Sequence, residues 1–373
     1  MAVILLVSCG VMGAALGRLL TLSGHTVIFP AHGRSEATRK RATEAGITAL
    51  ELTHQQVWSD YPQANSISLV LSILPPSEAL SFASEFCETA TRALKQGPEE
   101  EEGSTATRKI FVDLNAIGPD ASDKIASLVG EVSGWAYVEG SIIGMPPRYL
   151  DETRPSLDQL VHNPCVYLSV PPTTQEAELD QVASFLKAAS WKVRVLNSSS
   201  STTTASTSSS PASASPRTGA SKALKLCYSS IAKGSMLLCT SAALSAASFS
   251  DSTSEALATE LSESLPGFAT FFGNQMQHVM PKSTRFVEEM RQIAQLVPHA
   301  PTPVPAHVSA PAPSSAPAEQ LDQLWNSVAD VYLALGSRNG THDAELLDSQ
   351  LRAFGDTLKR KLIERRLSEQ EQN

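Results

Sequence analysis

Two kinds of hydrophobic pattern alternate along the first half of the chain. Short uninterrupted apolar runs, the first from Val3 to Val7, are typical of strands buried on both faces of a parallel sheet. Between these runs, apolar positions recur with helical spacing, first after Gly13. Further strands are predicted at 26–29, 66–74, 109–115, 136–139, 165–170 and 192–196. This alternation predicts a doubly wound parallel α/β sheet over residues 2–196.

After residue 218 the pattern becomes helical, and two tracts rich in Ser, Thr, Ala and Pro are too polar or too irregular to build a core. We therefore predict an α/β domain followed by an all-α domain. The predicted segments are a dinucleotide-binding Rossmann-like domain at 1–197, with a surface loop at 96–107, a flexible segment at 198–218, a helical domain at 219–297, an extended linker at 298–318 and additional helices at 319–373.

Charge and cysteine content narrow the class of protein. The net charge of −9 over 373 residues argues against a nucleic-acid or anionic-membrane partner, since either needs a basic face. The five cysteines are odd in number and scattered, which favours a reducing compartment over a disulfide framework or a metal site. No stretch of the sequence reaches the ~20 apolar residues of a membrane span. We therefore expect a cytoplasmic protein that acts on a small molecule.

The turn after the first strand has the residues that a dinucleotide phosphate needs. Gly10 would let the backbone approach a pyrophosphate, Gly13 would let the next helix lie close to the strand, and the helix N-terminus would supply free N–H groups. Ser8 stands where the first glycine of G-x-G-x-x-G would be, so a plain strand–helix turn is the alternative. The candidate cofactor-binding residues of this turn are Ser8, Gly10, Val11, Met12 and Gly13.

The end of the second strand bears on the choice of cofactor. NAD-type sites place Asp or Glu there to hold the ribose 2′-hydroxyl, whereas this chain has no carboxylate before Glu36. Arg34 and Ser35 offer a guanidinium and a hydroxyl suited to a phosphate, so we expect NADP rather than NAD. A basic helix start on the surface is the alternative. Leu74 and Pro75 end another buried strand and are either further cofactor contacts or simple turn residues.

Five segments occur in the order found in the β-hydroxyacid dehydrogenases, the group containing 3-hydroxyisobutyrate and 6-phosphogluconate dehydrogenases. They read VSCGVMG, VLSILPPSEA, DLNAIGP, YVEGSIIGMPP and GASKALKLCYSSIAKG. Most of residues 2–297 resembles this family, in particular a branch with a short helical C-terminal domain. The resemblance implies a Rossmann-like domain, then a helical domain like that of 6-phosphogluconate dehydrogenase, and a homodimer.

The resemblance also implies roles for two turns. The turn 113–119 falls where the family contacts nicotinamide and substrate, with Asn115 as the cofactor contact. The segment 139–144 falls on the family's substrate-carboxylate loop, although Ile143 replaces the family's serine. The residues expected to bind substrate here are Ser141, Ile142, Ile143 and Gly144.

Lys225 and Ser229 are the catalytic residues that the resemblance implies. Lys225 stands at the position of the family's catalytic lysine, and Ser229 replaces the family's asparagine. A lysine can pass a proton to or from a substrate oxygen as hydride moves, and a neighbouring cation, Lys222 or Lys233, would make that proton easier to release. Considered from its helix alone, Lys225 would be a solvated surface lysine.

Helical spacing predicts how this segment is oriented. Lys225, Ser229 and Lys233 share one face. A different stripe is expected to face the core, formed by Leu224, Cys227, Ile231 and Leu238. Further along the chain, Lys282 begins a predicted helix, where the macrodipole disfavours a cation. This placement hints that Lys282 binds an anionic substrate, and surface charge is the alternative.

Two functions are consistent with this sequence. One is an NADP-dependent oxidoreductase that moves hydride between nicotinamide and a hydroxy-acid-like carbon, with Lys225 as general acid or base. The other is an NADP-binding sensor or scaffold without turnover, which the changes at Ser8, Ile143 and Ser229 favour. Nucleotide binding followed by a turnover assay distinguishes them.

Overall fold

The computed structural model describes residues 2–96, 108–171, 174–196, 219–296 and 316–371. The predicted loop at 96–107, the tract at 198–218 and most of the predicted linker at 298–318 lie outside these residues. The chain divides into two compact units, Met1–Lys225 and Leu226–Asn373.

Unit 1 is built on an eight-stranded sheet with the strand order β10-β9-β6-β5-β4-β1-β2-β3. Its strands are β1 Val3–Leu6, β2 Thr26–Pro30, β3 Thr48–Leu50, β4 Ile67–Ser72, β5 Lys109–Asp113, β6 Trp135–Ile143, β9 Cys165–Ser169 and β10 Lys192–Val195. A separate two-stranded ribbon pairs β7 Arg148–Tyr149 with β8 Leu160–His162. The predicted Rossmann-like sheet is confirmed.

One strand pair differs from the predicted parallel sheet: β9 runs antiparallel to β6. The reason lies in the connection, because the ribbon β7–β8 joins the two strands without the crossover helix that a parallel pair needs. The chain then passes through a helix to β10, which is parallel to β9.

Helices cover both faces of the sheet. They are α1 Val11–Leu22, α2 Glu36–Glu44, α3 His54–Asp60, α4 Pro76–Gln96, α5 Pro119–Gly130 and α6 Glu176–Ala188. Successive residues of β1 enter different cores: Ile4 and Leu6 pack with α1, whereas Leu5 and Val7 pack with α4 and α5. An uninterrupted apolar strand is therefore required in this position.

The described residues of unit 2 form helices and share one hydrophobic core. It contains most of α7 Ala220–Phe249, followed by α8 Asp251–Ser264, α9 Pro266–Gln275, α10 Val279–Leu296, α11 Ala316–Ser337 and α12 His342–Glu371. The structure differs here from the predicted division at 297–319, because α11 and α12 contribute Tyr332, Leu351 and Phe354 to the same core as α9 and α10. The boundary at 219 also differs, since the first turn of α7 belongs to unit 1.

The buried stripe of α7 is not the one that the sequence predicts. Ile231 and Leu238 are each 73% exposed, whereas Leu226, Met236 and Cys239 are buried. The prediction was wrong because nearly every position of this helix is small or apolar, so periodicity does not single out one face. Among the described residues, no helix has the length and apolar content needed to cross a membrane.

Candidate functional site

The glycine turn has the geometry of a phosphate-binding turn. Helix α1 begins directly after Gly10, and no side chain caps its N-terminus, so its first N–H groups are open to a ligand. A Cβ on Gly13 would lie 2.2 Å from the Ser8 carbonyl oxygen, so only glycine lets the helix approach the strand this closely. A Cβ on Gly10 would meet nothing within 4 Å, which leaves room for a pyrophosphate. Val11 is exposed and Met12 partly so.

The end of β2 carries a cluster of cations. Arg34 Nη2 donates to His54 Nε2 at 2.8 Å, and Arg41 Nε donates to the carbonyl of Cys9 in the glycine turn at 3.0 Å. Ser35 serves as the N-cap of α2, where its hydroxyl accepts from the amide of Thr38 at 3.4 Å. The sequence predicted Arg34 and Ser35, whereas nothing in it pointed to His54.

Asn115 is buried and ties two strand ends together. Its Oδ1 accepts from the Leu74 amide at 2.5 Å, and its Nδ2 donates to Ser72 Oγ at 2.9 Å. Asn115 is 2% exposed and its side chain supports the strand ends, and its predicted cofactor contact stays a prediction. Leu74 is also buried, whereas Pro75 is exposed and starts the turn into α4.

The predicted substrate loop divides into buried and accessible residues. Ser141 is 1% exposed and Ile142 is 7% exposed, and their predicted substrate contacts stay predictions. Ile143 is half-buried and Gly144 is exposed. Gly144 has a φ of +127°, and a Cβ there would lie 3.2 Å from Pro164, so the position requires glycine.

Lys225 reaches this loop from the first turns of α7. Its Nζ donates to the carbonyl oxygen of Ile142 at 2.5 Å, and its side chain is half-buried. Ile142 thus contributes its backbone rather than its side chain. The contact places the ammonium group of Lys225 next to Ile143 and Gly144, the accessible part of the loop.

Lys222, one turn earlier on α7, is fully buried. Its Nζ donates to the carbonyl oxygens of Asp113, Asn115 and Gly140 at 2.8, 3.0 and 2.8 Å, and it lies 3.3 Å from Asp113 Oδ1. Burial lowers the pKa of Lys222 from its ordinary value, while the carboxylates of Asp113 and Glu139 act in the opposite direction. Lys222 therefore fixes α7 to the ends of β5 and β6.

Glu139 anchors the same helix from the sheet. Its carboxylate accepts from the amides of Gly219 and Ala220 at 2.8–3.1 Å, and from the hydroxyls of Ser169 and Ser122 at 2.6 and 2.8 Å. A carboxylate at a helix N-terminus satisfies free N–H groups and interacts favourably with the helix dipole. A charge inside an apolar strand needs such partners, so Glu139 was the one member of this network that the sequence could have signalled.

Gly219 is required where α7 begins. It has a φ of +90°, and a Cβ there would lie 2.5 Å from Pro119 Cβ. Pro119 is both the last residue of the turn 113–119 and the first residue of α5, so this turn lies against the start of α7. We call the contacts of Lys222 and Glu139 with the first turn of α7 the α7 anchor.

Unit 2 places Ser229 and Lys233 against one carboxylate. Ser229 is 2% exposed and its hydroxyl donates to Glu289 Oε2 at 3.4 Å, while Lys233 forms an ion pair with the same oxygen. The predicted catalytic role of Ser229 stays a prediction. Lys222 and Lys233, the two neighbouring cations that the sequence suggested, are both ion-paired.

Lys282 lies on α10 of unit 2 and is half-buried. Burial lowers its pKa, and the positive charges of Arg285 and Lys233 lower it further. An anion can stabilise a cation that lies near other cations. The predicted substrate contact of Lys282 stays a prediction.

Comparison with known proteins identifies the fold. A domain of unknown function, DUF1932, matches residues 252–310. A conserved protein whose structure was likened to 3-hydroxyacid dehydrogenases has 18% identity and a TM-score of 0.50, covering 93% of this chain and 99% of that one. The 3-hydroxyisobutyrate dehydrogenase of Salmonella typhimurium has 12% identity and a TM-score of 0.53, with 89% and 95% covered.

A conserved hypothetical protein from Sinorhizobium meliloti 1021 has 16% identity and a TM-score of 0.53, covering 97% of both chains. A search of curated proteins found no significant match. The resemblance to the β-hydroxyacid dehydrogenases is confirmed, together with the fold that it implied.

Proposed function

We propose that this chain, which has the fold of 3-hydroxyacid dehydrogenase-like proteins, is an NADP-dependent oxidoreductase. The observation that carries the proposal is Lys225, whose ammonium group is held on the Ile142 carbonyl beside the accessible residues of the predicted substrate loop. The open glycine turn of the same unit fits a dinucleotide. The substrate class is a small hydroxy acid or the corresponding carbonyl acid.

In this function Lys225 exchanges a proton with the substrate oxygen. When bound, the nicotinamide cofactor supplies or accepts the hydride. Lys225 donates its proton to a carbonyl oxygen as the carbon is reduced, and it accepts the hydroxyl proton in the oxidative direction. The Ile142 carbonyl orients the amine through a hydrogen bond, and the α7 anchor fixes the helix on which the amine is carried.

Arg34 supports the choice of NADP over NAD. It lies at the end of β2, and a guanidinium there suits the 2′-phosphate of NADP. We propose that Ser35 contributes only through its place at the start of α2, since its hydroxyl caps that helix.

The Arg34→Ala variant tests the cofactor assignment. Loss of a charge-assisted hydrogen bond costs about 1.5–3 kcal/mol, so NADPH affinity should fall roughly tenfold or more, while NADH affinity stays the same. Fluorescence titration measures both. An equal loss for the two cofactors would contradict the assignment.

A protein that binds NADP without turnover is the second candidate. Burial favours it: Asn115, Ser141 and Ser229 are all buried, and the protein itself supplies hydrogen-bond partners to Asn115 and Ser229. Oxidation of NADPH against a panel of carbonyl acids decides between the two. Turnover of any member of the panel supports the enzyme. Tight NADPH binding with no turnover of any member supports the sensor.

We further propose that two copies of the chain associate through α7. Its exposed side chains Ile231, Leu238 and Phe249 are 73%, 73% and 84% exposed. At 100° per residue they lie within roughly 20° of one another on the helix, so they form a single apolar stripe. A monomer would leave this stripe in water. Lys282 remains our proposed contact for the anionic group of the substrate.

A further inference from the structure

His54 holds the guanidinium of Arg34 from a rigid position. It is the first residue of α3, whose start is fixed by a capping box between Thr53 and Gln56. Its ring also packs edge-on against Phe82 of α4, with 4.9 Å between the ring centres. The backbone and the ring plane of His54 are therefore both set by the fold.

The hydrogen bond between these two residues fixes the protonation of His54. An arginine has only donors, so Nε2 of His54 must accept, and the ring proton lies on Nδ1. Burial and, to a lesser extent, the charge of Arg34 together lower the pKa of His54 to about 4. At neutral pH His54 therefore orients Arg34 without adding positive charge of its own.

His54 and Arg34 line one pocket at the end of β2. The pocket has a volume of about 210 Å³. Its walls come from Pro30, 32–34 and 53–54. Arg34 is the fixed cation among these residues, so the direction of its guanidinium decides whether an anion is held there.

The buried Nδ1 of His54 indicates that this histidine is not only a packing residue. Nδ1 has no hydrogen-bond partner among the described residues. A buried donor left without a partner costs free energy, and an apolar side chain in contact with Phe82 would avoid that cost. What an apolar side chain would not supply is an acceptor for Arg34.

We propose that His54 is the positioning residue that sets Arg34 for a 2′-phosphorylated ribose, and that it thereby decides between NADP and NAD. The inference rests on the proposed cofactor. Without an acceptor, the long arginine side chain must be ordered by the ligand itself, at a cost of about 0.5–1.5 kcal/mol per side chain. Selectivity should then fall roughly three- to tenfold.

Adenosine 2′,5′-bisphosphate and adenosine 5′-monophosphate test this by calorimetric titration of the full chain, since they differ only in the 2′-phosphate. His54→Leu should weaken binding of the bisphosphate roughly three- to tenfold and change binding of the monophosphate less than twofold. His54→Gln should restore most of the loss, because its Oε1 can accept from Arg34.

The matched control is His25→Leu. His25 also packs against a phenylalanine, Phe185, but it precedes β2, at the opposite end of the strand from Arg34. This control should leave the binding of both nucleotides unchanged.

The outcomes separate this inference from the proposed cofactor. A wild-type protein that binds both nucleotides equally overturns NADP selectivity and the role of His54 with it. A wild-type preference that survives in His54→Leu overturns the role of His54 alone. Equal losses for both nucleotides in His54→Leu also overturn it, because His54 would then be a wall of the adenosine pocket.

Discussion

Lys222 and Lys225 stand one turn apart on α7 and have different roles. Lys222 is completely buried on three backbone carbonyls, whereas Lys225 is half-buried and donates to the Ile142 carbonyl. The resemblance predicted Lys225, and the structure places it against the predicted substrate loop. Lys222 could not be predicted, because helical spacing puts both lysines on one side and does not show which of them meets the sheet.

Replacing Lys225 with alanine should lower turnover roughly 10²–10⁴-fold and leave NADPH affinity nearly unchanged, because the amine acts on the substrate proton. Steady-state rates with an active carbonyl acid and an NADPH titration measure the two effects. Lys225→Arg is the control for charge: it should stay slow, because a guanidinium keeps its proton. A fully active Lys225→Ala protein would show that the proton comes from another group.

At the level of helices and strands, the sequence predicted those whose hydrophobic pattern is strong and lies within one short stretch of the chain. Strand β1 and helix α1 are found where the apolar run and the glycines predicted them. A strand buried on both faces accepts only apolar residues, and a helix packed close to a strand needs glycine at the contact, so few residue types are allowed there. The direction of β9 and the short helix α3 were not predicted. Strand direction depends on the length and path of a connection, which composition does not encode.

The burial of residues at the predicted site was not visible in the sequence. Positions 115, 141 and 229 carry polar residues at family positions, yet all three are buried. Polarity indicates that a residue needs hydrogen bonds, and these can be supplied by the protein as well as by a ligand. Asn115 illustrates this, because it satisfies Leu74 and Ser72.

The α7 anchor makes a prediction about stability. Lys222→Met should lower the free energy of unfolding by about 3–5 kcal/mol, because Asp113 would remain as a buried charge without its cation. Urea unfolding measures the change. Lys40→Met is the matched control: Lys40 is 74% exposed, so its loss should cost less than about 0.5 kcal/mol. Equal effects at the two lysines would mean that the buried ion pair contributes no more than a surface charge.

On the scale of the whole molecule, the two units were predicted but their boundary was not. Low complexity marks where a core is absent, so the tract at 198–218 was an obvious place to divide the chain. The structure divides it at Lys225, because the first turn of α7 is buried in unit 1. Because this boundary lies inside one continuous helix, no change in composition or hydrophobic pattern marks it in the sequence.

The exposed stripe of α7 predicts the oligomeric state. If two copies pack through it, the double change Ile231→Glu and Leu238→Glu should convert a dimer to monomers, because two charges would be buried at the interface. Sedimentation velocity measures the mass. Leu150→Glu, at a residue 77% exposed but on another element, should leave the dimer intact. A wild-type protein that is monomeric at high concentration would contradict the proposal.

The α7 anchor also means that unit 1 is completed by a piece of chain that need not be joined to it. Strand β10 ends at Val195, and the residues that neutralise Asp113 and satisfy Glu139 arrive only at 219–222. A single cut between 197 and 218 should therefore leave two polypeptides that stay associated through buried ionic and amide contacts. A fragment that stops at 197, in contrast, would leave Asp113 without its cation and Glu139 without the amides of Gly219 and Ala220. We therefore expect that the protein can be produced as two fragments divided within this tract. A protein truncated at 197 should not be a stable substitute for unit 1.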